Sequence, residues 1–229
     1  MSGLVYIISA PSGSGKSTLV NEIRREVAAL DFSVSYTTRE PRGSEQDGLQ
    51  YRFIDKPAFE QMIAEDAFLE HALVHDHYYG TARHFLTDAC EHHHDLLLDI
   101  DVQGAEQVQQ KLPEAISIFL LPPSRQELER RLRRRSEQEH VAGEVIDRRL
   151  AAAGREIEKY EKYDYILVND HLEEAIEALK AIVLGERVLN EGRALTDEEK
   201  GWVELAKQHR MEAMRSGIQK ILASFGKQS

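Results

Sequence analysis

Residues 9–19 read SAPSGSGKSTL, and their types and spacing suit the binding of a phosphate chain. Gly13 and Gly15 let the backbone turn tightly enough for successive amide N–H groups to face an anion, helped by the positive end of a helix that follows. Lys16 is spaced to reach β and γ phosphates, and the Ser17 hydroxyl to bind Mg²⁺. Ala10, Pro11, Ser12, Ser14 and Thr18 complete the loop. Ala10 stands where the pattern G-x-x-x-x-G-K-[ST] has its first glycine; a glycine is needed there only if the backbone takes positive φ or close packing demands it, so alanine is tolerable. A Gly and Ser turn with a solvated lysine is the bland alternative, and it does not explain why strand, glycines, Lys16 and hydroxyls fall in order. Such a loop specifies a nucleoside triphosphate and leaves the acceptor to be read elsewhere.

Other residues could do chemistry. Arg39 and Arg42 lie three apart in a polar stretch and are followed by Glu45 and Tyr51; two forked cations and a phenol suit an anionic phosphate, and on spacing alone a solvated loop equally. Asp99 and Asp101 follow the apolar run LLLDI, where P-loop proteins keep an acidic residue for Mg²⁺, directly or through water. Two apart on a strand, they face the same way, and spacing leaves open which serves a metal or whether both are capping carboxylates. Arg130, Arg131, Arg133, Arg134 and Arg135 fill five of six positions on an expected helix in a chain of net charge −11, an anomaly that asks for an anion. Arg131 and Arg135 share one face and Arg149 follows, while the other arginines read as a solvated face paired with Glu127, Glu129 and Glu137. His92, His93 and His94, and His75 with His77, tempt a metal reading. Consecutive helical residues point about 100° apart and cannot share one ion unless the helix unwinds, so these read as a solvated helix end, with no zinc implied.

A scaffold must bring these residues together. Apolar runs at 4–9, 32–36, 96–100, 116–121 and 165–169 read as buried strands, and helical patterns start near Lys16, Gln103, Ser124, Glu144 and Leu172. Ser124 and Glu127 have capping-box spacing ahead of Leu128 and Leu132. Strands alternating with helices predict an α/β fold with a P-loop-type parallel sheet flanked by helices. Residues 36–94 break the rhythm, with short strands at 51–54 and 68–74 and helices at about 57–65 and 82–93; they read as a subdomain inserted between core segments 1–35 and 95–190. The helical pattern also breaks at 138–143, which suggests a lid over about 130–150.

Composition narrows the function. The 229 residues carry 40 Asp plus Glu against 29 Lys plus Arg, which argues against a protein that coats nucleic acid, since such binding rests on neutralising phosphates. No apolar run approaches the roughly 20 residues of a membrane span, and the stretch 4–8 is too short for a secretory signal. A single cysteine, Cys90, cannot form an internal disulfide and reads as a small buried hydrophobe in a reducing compartment. The expectation is a cytoplasmic protein with neither membrane nor nucleic acid as partner.

Five blocks, in order, resemble the guanylate kinases, which pass a phosphoryl group from ATP to GMP. They are APSGSGKST at 10–18, SVSYTTREPRGSE at 33–45, FLEHA with YYGT at 68–72 and 78–81, LLLDIDVQG at 96–104, and PPSRQELERRLRRR with YDYILVND at 122–135 and 163–170. The resemblance extends over residues 4 to about 187 and implies an ATP-dependent kinase that uses Mg²⁺ and takes GMP and dGMP. By residue, it implies that Ser35, Glu70, Thr81 and Asp101 contact the guanine base, that Arg39, Arg42, Tyr51 and Tyr79 hold the GMP phosphate, and that Glu45, Gly80 and Asp99 belong to the same GMP site. It places Asn169 with the ATP loop, Ser17 on Mg²⁺ with Asp99 or Asp101 acting through water, and Lys16, Arg131, Arg135 and Arg149 as the catalytic cations. Glu70 has a physical logic besides: guanine presents N1–H and the N2 amino group side by side, two donors that one carboxylate accepts, whereas adenine would set an acceptor against it. The sequence departs from the family at Arg134, where glycine is usual, and at SEQEHVAGE (136–144), which is longer than the typical lid. Two rival readings remain: a kinase for another nucleoside monophosphate, and a guanylate-kinase-like binding module without ATP chemistry, against which Lys16, Ser17 and the lid arginines speak.

Residues 191–229 lie outside the resemblance and read as a helical tail. Thr196 and Glu199 form a capping box, and Met211, Met214, Ile218, Ile221, Leu222 and Phe225 recur at steps of three and four, with Gly226 able to end the helix. Seven basic against six acidic residues make the stripe nearly neutral, which disfavours membrane or nucleic acid. It must cover either its own domain or a second subunit, with a lean toward a homo-oligomer contact.

Overall fold

In chain order the elements are β1 (Val5–Ser9), α1 (Lys16–Glu26), β2 (Leu30–Phe32), β3 (Tyr36–Thr37), β4 (Arg52–Phe53), α2 (Lys56–Ala64), β5 (Phe68–Val74), β6 (His77–Ala82), α3 (His84–His92), β7 (Asp95–Asp99), α4 (Val102–Lys111), β8 (Ile116–Leu121), α5 (Arg125–Glu139), α6 (Gly143–Ile157), β9 (Tyr165–Val168), α7 (Leu172–Asn190), α8 (Asp197–Gln208), α9 (Met211–Met214) and α10 (Gln219–Phe225). The structure, a computed structural model, describes residues 3–43, 45–74, 76–139 and 143–226, apart from the side chains of residues 135, 137–139, 143 and 144. Five strands form a parallel sheet in the order β2-β7-β1-β8-β9, and four short ones a second sheet, β4-β3-β6-β5. Contacts divide the chain into two compact units, Met1–Ile8 with Ala28–Ile116 and Ser9–Val27 with Ser117–Ser229.

In the first unit β7 pairs on one side with β1, Val5 opposite Leu96 through Ile8 opposite Asp99, and on the other with β2. Its Leu96, Leu97 and Leu98 are all buried, as a strand covered on both faces requires. The expected strand at 32–36 is two elements. Ser33 extends the β2 ladder by donating its N–H to Leu97 O (3.2 Å), and Tyr36 then opens β3 in the second sheet, against β6. β6, polar and holding a glycine, is not among the expected strands, yet it pairs with β5 along its whole length and delays the expected helix at 82–93 to His84. A register shift between Phe68 and Glu70 marks a bulge in β5. Phe59 of α2 stacks on Phe68 and Tyr78, with centroids 4.4 and 5.1 Å apart, and supplies this sheet's apolar floor.

α3 ends at the histidine row, where a solvated helix end was expected, and the chain unwinds within it. His93 adopts φ +57°, its N–H donates to Cys90 O (3.2 Å), and the His94 N–H reaches back to Ala89 O (2.9 Å), a helix stop in which the chain unwinds after His92. His75 lies outside the described residues. Cys90 is exposed rather than buried.

In the second unit β8 and β9 pair from Ile118 opposite Tyr165 to Leu121 opposite Val168. The Ser124 Oγ accepts the Glu127 N–H (3.1 Å) at the start of α5, while the Glu127 carboxylate turns to Arg130 and Arg131. The expected break at 138–143 falls between α5, which ends at Glu139, and α6, which starts at Gly143; residues 140–142 are outside the described set. The tail is not one helix. After α8, whose Thr196 and Glu199 make the reciprocal capping box, residues 209–211 pair with β9, and only then come α9 and α10. The stripe is covered by its own chain: Ile218 is buried, and Phe225 packs on Leu128, Leu132, Ile146, Leu150 and Ala153. Among the described residues no helix is long and apolar enough to cross a membrane.

Candidate functional site

In the second unit the phosphate loop leaves β1 and enters α1 at Lys16. Gly13 and Gly15 take φ of +91° and +93°, a region costly for any side chain, and each lacks room for one: a Cβ on Gly13 would lie 2.8 Å from Leu132, and one on Gly15 2.3 Å from the Asn169 amide nitrogen. Ala10 is absent from the positive-φ residues, which is why alanine serves there. Ser17 and Thr18 are exposed in the first turn of α1, where backbone N–H groups have no helical partner. Asn169, expected among the ATP residues, is buried and donates its amide to Ser14 O (2.7 Å), so it clamps the loop from the end of β9.

Arg131 stands beside that clamp. Its guanidinium donates to Asn169 O (3.0 Å) and to Ser14 O (3.4 Å), and its Nε to Glu127 (2.7 Å). The Arg130 hydrogen bonds, and then those of Arg131, hold the Glu127 carboxyl down at about 2, so the pair stays charged at any physiological pH. Arg133 pairs with Glu129 as the expected solvated face does. The Arg135 side chain is outside the described set, and Arg149 lies on α6, half-buried.

In the first unit two groups of expected residues assemble. Arg39 is buried, and three of its nitrogens are fixed: Nε donates to the Tyr79 hydroxyl (3.2 Å), one terminal nitrogen to Glu40 O (2.6 Å) and the other to Glu45 (2.9 to 3.0 Å). Glu45 also accepts the Arg42 N–H (2.8 Å), and the guanidinium lies 5.3 Å from the Tyr51 ring centroid, which in turn meets Tyr79 edge-on. Burial, and then the nearby Asp99 carboxylate, push the Tyr51 phenol up, so it remains a neutral donor. An anchored cation flanked by two phenols suits an anionic phosphate.

The second group centres on Glu70. The β5 bulge and the pairing of Glu70 with Thr81 turn this carboxylate inward, where it is 5% exposed and accepts the Thr81 hydroxyl (2.7 Å). Burial pushes Glu70 up to about 7 against the pull of Thr81, with Asp101 adding to the rise. Asp101 caps α4 by accepting the Gly104 N–H (2.8 Å), which makes it at least in part the capping carboxylate that its spacing allowed. Gly80 is buried against Phe59 and Phe68. Ser35 lies between β2 and β3, its carbonyl accepting the Arg52 N–H (2.9 Å).

Sequence reasoning passed over two contributors. Gly104 leaves space for the carboxylate, since a Cβ there would sit 2.5 Å from Glu70 Oε2; its place in LLLDIDVQG was the available signal. Lys111 donates to the Leu69 carbonyl (2.6 Å) at the bulge and has no local sequence signature. Glu127, expected to cap α5 and pair with arginines, orients Arg131.

The guanylate kinase family model matches residues 2–186. The chain is 55% identical over 225 residues to the guanylate kinase of Koribacter versatilis (strain Ellin345), covering 98% of this chain and 97% of that protein, and 47% identical over 188 residues to that of Escherichia coli (strain K12), covering 81% and 89%. The crystal structure of guanylate kinase from Anaplasma phagocytophilum superposes with a TM-score of 0.67 at 33% identity, over 81% of this chain and 86% of the other. A phosphate loop clamped by Asn169, a cradled arginine and a buried carboxylate accepting from Thr81 thus stand in a chain that belongs to the guanylate kinase family.

Proposed function

We propose that the chain transfers the γ-phosphoryl group of ATP to GMP, giving ADP and GDP, with dGMP as a second acceptor and the cytoplasm as its setting. The kinase activity is that of its family. The observation that carries the acceptor's identity is Glu70, a buried carboxylate held by Thr81 with the space beside it kept by Gly104. Guanine offers two adjacent donors to such a group, and no other common base does so in that arrangement. Arg39, with Arg42, Tyr51 and Tyr79, is proposed to take the GMP phosphate, and Lys16 with Arg131, Arg135 and Arg149 to balance charge on the transferred group.

Magnesium takes oxygen donors, and the exposed Ser17 hydroxyl and the Asp99 and Asp101 carboxylates are of that class. Asp101 caps α4 beside Glu70, so Asp99 is the carboxylate proposed to act through water. When bound with ATP, Mg²⁺ would supply charge neutralisation. The reaction needs no strong general base, because a phosphate monoester with a second pKa of about 6 is already a dianion near neutral pH. The residues' work is positioning, charge balance and exclusion of water.

A coupled ADP-release assay with GMP, dGMP, AMP, UMP and CMP tests this. Fast turnover confined to the two guanine nucleotides is expected. Preference for another base would mean a different monophosphate kinase, and no ADP with any acceptor would mean a binding module.

A further inference from the structure

We propose that Asp31, His92 and His94 form a binding site for a divalent transition-metal cation, with Zn²⁺ the best-fitting ion. One potential ligand atom from each residue lies within 4.8 Å of the other two. His94 Nδ1 is 3.0 Å from Asp31 Oδ1, His92 Nδ1 is 3.8 Å from Asp31 Oδ2, and the two rings stand 5.7 Å apart at 49°. With metal–ligand bonds of about 2.0 to 2.2 Å, neighbouring ligand atoms of a tetrahedral zinc site are about 3.3 to 3.5 Å apart, so the two separations bracket that value. The His92 distance is too long for a hydrogen bond.

The backbone fixes all three positions. His92 ends α3, His93 turns the chain at φ +57°, and the His94 N–H is held by Ala89 O, which overcomes the angular objection to neighbouring histidines. Asp31 sits on β2, in register with Leu96 of β7, and the next residue along from His94, Asp95, donates its N–H to Ala29 O (3.0 Å). The negative end of α3 favours a cation there. Two imidazoles and one carboxylate suit zinc, nickel or cobalt and not magnesium, and the partial exposure of the side chains, 36 to 64%, leaves an entry path and a coordination position for water. An ion bound through Nδ1 takes the place of any proton in the His94–Asp31 hydrogen bond, so each imidazole would ligate through an unprotonated nitrogen. The cluster flanks the start of β7 and Asp99 ends that strand, about 13 Å away along it, so the ion would tie the edge strand β2 to the α3–β7 junction without entering the acceptor site.

The full-length chain, stripped by chelation and kept free of nucleotide and Mg²⁺, is titrated with Co²⁺ while its visible d–d absorption is recorded, and the Co²⁺ is then displaced with Zn²⁺. One Co²⁺ per chain and a Zn²⁺-dependent rise in Tm are expected. Losing even an outer-shell partner commonly costs about tenfold in affinity, so His92→Ala and Asp31→Asn should each weaken binding by at least about tenfold and remove the Tm rise. His92 is the most exposed of the three, so His92→Ala should keep the parent's metal-free Tm and kinase activity, and it suffices if Asp31→Asn fails to fold. Absence of Co²⁺ bands, or binding unchanged in His92→Ala because Cys90 or other imidazoles capture the ion, overturns the proposal.

Discussion

Replacing Glu70 by Gln should change two pH dependences in opposite senses. Without nucleotide, the folded chain holds a proton on Glu70 up to about 7, whereas an unfolded chain releases it near the ordinary 4.5. Between those values the native state binds more protons, so this residue's contribution to stability is full below pH 4.5, falls as pH rises toward 7, and is flat above. At about 1.4 kcal/mol for each pH unit, the ionised carboxylate costs about 3 kcal/mol at pH 8. Gln is neutral, has nearly the same shape, and can still accept the Thr81 hydroxyl through its oxygen. The nucleotide-free variant should therefore melt higher than the parent at pH 8, by roughly 6–12 °C for a chain of this size, and no higher at pH 4.5.

GMP should reverse that order. The carboxylate accepts two guanine donors, while the amide sets a donor against one of them, which costs about 1–3 kcal/mol and raises the KM for GMP about 10- to 100-fold at pH 8 with a smaller loss for AMP. In the parent, about nine tenths of the free enzyme carries the proton at pH 6, so its KM for GMP should rise about tenfold from pH 8 to pH 6. The GMP phosphate also titrates near 6, and the variant keeps that component, so the step assigned to Glu70 is the part that Glu70→Gln abolishes. Differential scanning calorimetry and steady-state kinetics at pH 6 and 8 suffice. A variant that melts no higher and retains the full KM step would refute the argument.

Lys16→Ala should lower kcat by about 10² to 10⁴ with the fold intact in circular dichroism, because a preorganised cation at the phosphates is lost. Gly104→Ala should raise the KM for GMP at least tenfold through the 2.5 Å clash with Glu70, while leaving the KM for ATP and the Tm nearly as they were, since alanine favours the helix by up to about 1 kcal/mol. Asn169→Ala should raise the KM for ATP and cost about 1–3 kcal/mol in urea unfolding, because Ser14 O loses its buried donor. Phe225→Ala should cost about 2 kcal/mol, below the range for a fully buried phenylalanine because Phe225 is only half-buried, and a Tm equal to the parent's would show that α10 does not brace α5 and α6.

What was legible in the residues was what contiguous segments decide. The phosphate loop works through its own backbone, so glycines at positive φ and the lysine after them announce it. Leu96 to Leu98 announce a strand because burial on both faces leaves no room for polar residues. The acceptor site was legible only through resemblance, since spacing left Arg39 and Arg42 as good a solvated loop as a cradle. What favours the cradle is Tyr79, forty residues on, and that contact depends on the β3–β6 pairing of a strand too polar to be recognised. Asn169 reads as an ATP ligand for a similar reason: its partner, Ser14 O, is 155 residues away. Angular spacing set the histidines aside for as long as the helix continues, and one residue at φ +57° ends it among them.

The tail shows the same limit from the other side. A stripe at steps of three and four predicts one helix in search of a surface, and the periodicity persists here through Ile218 N–H to Met214 O (3.1 Å) and Leu222 N–H to Ile218 O (3.0 Å) although Ser216 and Gly217 break the helix between α9 and α10. The residues just ahead of the stripe carried no expectation. There, the Ile166 N–H donates to His209 O (2.8 Å) and the Met211 N–H to Asp164 O (2.9 Å), with Arg210 bound to Glu186 and 4.2 Å from the Tyr165 ring centroid. β9 is the last strand in the sheet order, and an uncovered strand edge is a template for unwanted pairing. Residues 209–211 close that edge, and Ser224 then accepts the Arg125 N–H (3.0 Å) at the start of α5, whose Arg131 meets the phosphate loop. The family model ends at residue 186, whereas the similarity to the Koribacter versatilis guanylate kinase takes in 98% of the chain, so the sequence that forms the edge cover and the helical brace lies beyond the family model. The apolar stripe thus needs no second subunit to explain it: its surface is the outer strand and the arginine-bearing helix of its own unit.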